Sequence, residues 1–133
     1  MSVILKLFFG VSFCVGLAAC AAQTNASIGQ QALMQALGSK TPPLVIDVRS
    51  DAEYASGHIP SALHVPFWRS FTTNQLEGVE QNRAIVLTCQ HGPRAVIAKW
   101  GFSWQGFNNL RYLEGHMAAW SKAGLAQTKS VDP

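Results

Sequence analysis

Charge is scarce in this chain, and it gathers into no block. Asp, Glu, Lys and Arg make up only 13% of 133 residues, ten basic against seven acidic, for a net charge of +3. The basic residues Lys40, Arg49, Arg69, Arg83, Lys99, Arg111, Lys122 and Lys129 are scattered, so no stripe offers the footprint of a nucleic-acid binder, and none is expected as a partner. Cysteine is scarce too: Cys14, Cys20 and Cys89 are too few for a disulfide framework. No apolar run reaches the roughly 20 residues of a membrane-spanning helix. No sequence period repeats, and no set of Cys and His is spaced to close a metal site, since Cys89 with His91 finds no further ligands. Neither a metal nor another cofactor is expected.

What remains is one globular domain. Hydrophobic residues make up 48% of the chain, and its length leaves room for a single core, expected as a monomer.

The first residues read as an address. Lys6 is the only early charge, and the thirteen residues Leu7 to Ala19 form an apolar stretch of signal-peptide length, so 1–19 is expected to be a leader whose removal lowers the net charge to about +2. The stretch ends in Leu17-Ala18-Ala19-Cys20, which resembles the lipobox of bacterial lipoproteins. That resemblance implies a diacylglyceryl group on Cys20 and, with Ala rather than Asp at position 21, an outer membrane. The domain would then sit in the cell envelope on the periplasmic side, with the membrane as partner. The competing reading is ordinary secretion, with cleavage near Ala19-Cys20-Ala21 and a soluble product. Residues 20–27 read as a tether reaching at most about 28 Å. Either outcome leaves Cys89 as the one free thiol of the mature chain.

Beyond the tether, 28–126 reads as the domain and 127–133 as a tail. Ile28, Leu33, Met34 and Leu37 share a helical face that stops at Gly38. Leu44 to Val48 is a short apolar run of the kind buried on both faces of a parallel sheet. Ser50 with Glu53 has capping-box spacing and starts a second helix through Tyr54. Ala62–Val65 is a small strand, followed by a helical stretch after Pro66. Ala84–Thr88 is a strand, Pro93–Trp104 a helix, Leu110–Leu113 a strand, and Met117–Ala123 a last helix ended by Gly124. This alternation predicts an α/β fold, an open parallel sheet of four to five strands with helices on both faces.

Cys89 falls where a strand turns into a helix, the place where open α/β sheets bind ligands. The loop Cys89-Gln90-His91-Gly92-Pro93-Arg94-Ala95 carries a glycine and opens its helix with proline. Its amides can form an anion-binding nest at the positive end of the helix dipole, which favours a thiolate, and Arg94 would add a permanent charge. Pro93 has no N–H, so one possible donor is missing. A buried structural cysteine beside a surface arginine is the plainer alternative.

The loop resembles the active-site loop of single-domain rhodaneses, C-x-x-G-x-R. Asp47-Val48-Arg49 with Glu53-Tyr54, Gly57-His58-Ile59-Pro60, Ala62 and Pro66 is similar to that family's N-terminal signature. Gly106-Phe107 with Leu113, Gly115, Trp120 and Gly124 follows its closing pattern, except that His116 stands where a second glycine is common. The resemblance covers about residues 28 to 125. It implies a rhodanese-like fold and thiosulfate-type sulfurtransferase chemistry: Cys89 and Arg94 catalytic, Gln90, His91, Gly92, Pro93 and Ala95 around the substrate, a small anionic sulfur donor and a thiophilic acceptor as partners. The related phosphatases have one more residue between cysteine and arginine, so the shorter loop favours sulfur.

Asp47 and Arg49 read as a structural pair holding loops, His58 and His64 as turn and packing residues, and Trp68, Trp100, Trp104 and Trp120 as core or rim aromatics. Two other functions stay open: a non-catalytic binding or redox-sensing module in the envelope, and phosphatase or arsenate-reductase chemistry.

Overall fold

The computed structural model describes residues 26–130. The leader, Cys20 and most of the tether lie outside the described residues. Five strands, β1 (Ser27–Ile28), β2 (Leu44–Asp47), β3 (Leu63–His64), β4 (Ile85–Thr88) and β5 (Leu110–Leu113), form one sheet in the order β1-β5-β4-β2-β3. Every pairing is parallel. The helices are α1 (Gln30–Leu37), α2 (Asp51–Ser56), α3 (Pro93–Trp104) and α4 (His116–Lys122), with a short 3-10 turn at Phe67–Arg69. Among the described residues no helix is long and apolar enough to cross a membrane.

The apolar runs become central strands because both their faces are covered. Along β4, Ile85 and Leu87 point into one core with Ile46, Val48, Ala95, Ala98 and Phe102, while Val86 points into the other with Leu33, Val45, Met117 and Trp120. Cys89 continues the first set, which puts its side chain on the α3 side of the sheet. Helix α3 comes unusually close to the 3-10 turn: a Cβ on Gly101 would sit 2.2 Å from the Ser70 hydroxyl, so only glycine permits that approach.

Two boundaries differ from expectation. Ser27, read as the end of the tether, is already in β1, paired with Tyr112; a two-residue strand carries too little pattern to be seen in sequence. Residues of the expected tail are tied down, since His58 and Thr128 exchange both backbone hydrogen bonds at 2.9 Å and Ser130 N–H donates to Ala55 O at 3.2 Å.

Candidate active site

The fold delivers Cys89 to the C-terminal end of β4, the central strand, and the loop then closes back on it. Cys89 is 1% exposed. The backbone N–H of Gly92 donates to its Sγ at 2.9 Å. Gly92 can do this because its φ of 125° is a conformation that residues with a Cβ rarely adopt, and as N-cap it hands over to Pro93 at the start of α3. The loop is clamped from the other side by α4: Met117 N–H donates to Cys89 O at 3.0 Å and Ala118 N–H to Gln90 O at 3.2 Å. Among the described residues the amides of Gln90, His91 and Arg94 have no intramolecular acceptor, and Pro93 offers no N–H. The loop therefore keeps three donors for an incoming anion.

His116, which the sequence marks as a departure at a glycine position that can lie near the site, is part of this arrangement. Its Nδ1 accepts the backbone N–H of Cys89 at 3.2 Å, so the neutral ring carries its proton on Nε2. A Cβ on Gly92 would lie 3.3 Å from that Nε2, which puts the ring directly under the loop. Burial, and then the charge of nearby His91, push the His116 pKa below its ordinary value, so the ring stays neutral at physiological pH. It is held at φ 51°, directly after Gly115 at φ 67°, two left-handed residues in succession.

Arg94 is not a free charge beside the sulfur, as the spacing suggested. Its guanidinium grips the Glu53 carboxylate with two bonds, Nη1 to Oε2 at 2.6 Å and Nη2 to Oε1 at 2.8 Å. Glu53 is also the residue that caps α2: its Oε2 accepts from the Ser50 N–H at 3.1 Å and the Ser50 hydroxyl at 2.7 Å, while Ser50 Oγ accepts from Glu53 N–H. Arg94 holds the Glu53 carboxyl far below the usual carboxylate range, against an opposing push from burial. In return Glu53, and more weakly Cys89, raise the Arg94 pKa.

Asp47 and Arg49 meet in full burial at the end of β2. Arg49 Nη2 donates to Asp47 Oδ2 at 2.6 Å and to Gly57 O at 2.7 Å, and its Nη1 reaches Gln90 Oε1 at 3.4 Å, linking the pair to the Cys89 loop. His58 stacks on Tyr54 at 3.7 Å between ring centroids and shares a 2.8 Å hydrogen bond with Tyr54 O through Nδ1. His64 covers the other face of Tyr54 at 4.4 Å. Ala95 lies in the core under the loop and His91 is exposed at its rim. A cavity of about 490 Å³ opens elsewhere, among Met34, Leu44, Pro60, Arg83 and Trp120. Its lining has no cysteine, histidine or carboxylate and only the Ser61 hydroxyl without a base beside it, so the chemistry is read from Cys89.

The tryptophans divide against expectation. Trp120 is buried, but Trp68, Trp100 and Trp104 are solvent-exposed.

Comparisons with known proteins give the family and the fold. The model of the family described as Rhodanese-like domain matches residues 30–123. A protein of Allochromatium vinosum named Sulfurtransferase is 31% identical over 98 residues, 74% of this chain and 90% of that protein. Thiosulfate sulfurtransferase GlpE of Pseudomonas aeruginosa is 27% identical over 86 residues, 65% of this chain and 76% of its own length. Among solved structures, a rhodanese-like domain protein from Staphylococcus aureus superposes with a TM-score of 0.66 at 27% identity, over 79% of this chain and 98% of that one. The rhodanese-like domain of the Anabaena protein Alr3790 gives a TM-score of 0.70 at 22% identity, over 80% of each, and speaks for the fold alone.

Proposed function

We propose, because this chain belongs to the rhodanese-like domain family and has sulfurtransferase-named relatives, that its sulfurtransferase-like function is the transfer of a sulfane sulfur through a persulfide on Cys89. The observation that carries the proposal is the 2.9 Å hydrogen bond from Gly92 N–H to Cys89 Sγ, inside a loop with three further unpaired amides.

With thiosulfate as donor, the Cys89 thiolate attacks the outer sulfur. The donor's S–S bond breaks, its electron pair leaves with sulfite, and Cys89 holds an anionic persulfide. An acceptor nucleophile such as cyanide then attacks the terminal sulfur, the Cys89–sulfur bond breaks back to thiolate, and thiocyanate departs. Neither half needs an outside oxidant or reductant. The charge stays on sulfur throughout, so the same amides that favour the thiolate favour the persulfide. Arg94 can meet the donor's anionic oxygens by exchanging part of its hold on Glu53. Gln90, His91, Gly92 and Pro93 would line the donor's approach.

Incubation with thiosulfate should add the mass of one sulfur atom to the intact chain. Cyanide should remove it, and Cys89→Ser should never acquire it. A Cys89 left unmodified by thiosulfate and by other sulfane donors would sink the proposal. It would favour the second reading, a module that binds a partner or senses redox state, which the low exposure of Cys89 supports.

The proposal extends to location. Leu17-Ala18-Ala19-Cys20 behind an apolar stretch supports a lipid-anchored domain on the periplasmic side of a bacterial membrane. Intact mass of the chain extracted from membranes tests this: a diacylglyceryl adduct on Cys20, lost in Cys20→Ala, is the expected result.

A further inference from the structure

Three of the four tryptophans stand in solvent, two on α3 and one on the turn packed against it. Trp68 is 55% exposed, Trp100 69% and Trp104 83%. Val96, Trp100 and Trp104 recur every four residues and so share one face of α3. The turn bearing Trp68 packs against the same helix, where Gly101 meets Ser70 and Gln105 Nε2 donates to Ser70 O at 2.6 Å. A solvated helix presents charged and polar side chains outward; this one presents indoles, rings with an apolar body and one polar N–H that suit a headgroup layer.

Charge around this face is sparse and leans basic, with Glu77 in a hollow it shares with Gln105. Residues 65–76 and 90–113 contain Arg69, Arg94, Lys99 and Arg111 and no Asp or Glu. With Arg94 held by Glu53 and Arg111 on the face of β5 opposite Tyr112, Arg69 and Lys99 remain to meet an anionic surface. The chain also enters the domain here. Ala26 lines one surface hollow together with Lys99, Ser103 and Arg111, so the six residues back to Cys20 start beside α3 and reach at most about 21 Å.

We infer that the outer face of α3 and the neighbouring turn, with Trp68, Trp100 and Trp104, lies on an anionic phospholipid bilayer. Trp104 ends α3 and the Cys89 loop begins it, about 18 Å apart along the axis of the 12-residue helix. The bilayer can therefore cover the tryptophans while the loop mouth stays open to small solutes. The inference rests on the anchoring of Cys20 for bringing the domain to a membrane, and on the face itself for how the domain lies there.

The full chain, purified from bacterial membranes, is reconstituted in phosphatidylethanolamine–phosphatidylglycerol vesicles with brominated acyl chains, which quench indole fluorescence on contact. Fluorescence should fall roughly twofold against unbrominated vesicles, since buried Trp120 keeps its emission. Trp100→Ala with Trp104→Ala should lose most of that quenching while still loading sulfur on Cys89. Unquenched tryptophan in a chain whose intact mass shows the acyl group overturns the face and leaves the anchor standing. Quenching of a chain that carries no acyl group, in these vesicles and not in phosphatidylcholine alone, supports the face and removes the anchor. A doubled mass in light scattering with unquenched tryptophan gives the face to a second copy of the chain and overturns the inference.

Discussion

Two arginine–carboxylate pairs flank the Cys89 loop, and they differ in what they can do. Asp47 and Arg49 are two residues apart, fully buried, and bonded again to Gly57 O and towards Gln90. Glu53 and Arg94 are separated by 41 residues, bridge α2 to α3, and leave their side chains 34% and 29% exposed. A buried guanidinium cannot trade its partner for water without a large desolvation cost, whereas one at the surface can trade a carboxylate for another anion at little cost. The first pair thus fixes the scaffold. The second is the one a substrate anion can open.

The largest effect should come from breaking the buried pair. Asp47→Ala leaves the Arg49 guanidinium without its carboxylate and should lower the unfolding free energy by about 3–5 kcal/mol, read as a shifted urea midpoint with an unchanged slope. A variant of unaltered stability that fails to load sulfur would reverse the assignment and make Asp47 and Arg49 part of the substrate site.

Arg94→Ala should show the opposite profile. Its pair with Glu53, half-buried but open to solvent, contributes about 1 kcal/mol or less to stability. Loss of a charged hydrogen-bond donor to the substrate anion, in contrast, costs about 1.5–3 kcal/mol, or roughly 10- to 150-fold in kcat/KM for thiosulfate. If stability falls as far as in Asp47→Ala, the two pairs are not different in kind.

Glu53→Gln sharpens the contrast through pH. Arg94 holds the folded Glu53 well below its ordinary value of 4.5, so its contribution is present above that pH and fades as pH falls through it and below. Given its exposure the effect is small, under about 1 kcal/mol. The stability difference between the chain and Glu53→Gln should shrink on acidification; a constant difference would mean that the capping role alone accounts for Glu53.

How much of this was readable from sequence follows from range. Helix α3 starts and ends where Gly92-Pro93 and Trp104 indicated, and Ser50 with Glu53 forms the expected capping box, because those signals act within a few residues. The same Glu53 holding Arg94 was invisible, since nothing local links positions 41 residues apart until β2 and β4 pair. Which tryptophans are core and which are outward is not legible in the sequence for a different reason. Helix α3 is apolar nearly all round, with Ala95, Ala98 and Phe102 inward and Val96, Trp100 and Trp104 outward, so periodicity could not tell the faces apart. His116 stands out in the sequence as a departure at a glycine position that can lie near the site; its bond to Cys89 N–H exists only because α4 folds back onto the loop.

That histidine gives the smallest and most discriminating effect. A non-glycine residue at φ 51° costs about 1 kcal/mol, and the return is an acceptor for the buried Cys89 N–H. His116→Asn keeps both features, since asparagine tolerates the left-handed conformation and its side-chain oxygen can accept the same N–H, so at neutral pH stability should change by less than about 1 kcal/mol. The two chains should part on acidification. Folded His116 titrates below its ordinary 6.5, so as pH falls through that value the unfolded chain gains protons first and stability declines. Once protonated, Nδ1 becomes a donor facing another donor, the floor of the loop is pushed away, and sulfur loading on Cys89 falls with it. Asparagine cannot titrate, so His116→Asn should hold its stability and its loading rate across the pH range where the parent loses both. Identical acid profiles for the two chains would leave His116 as packing under the loop and return the whole pH response to the half-buried Glu53–Arg94 pair.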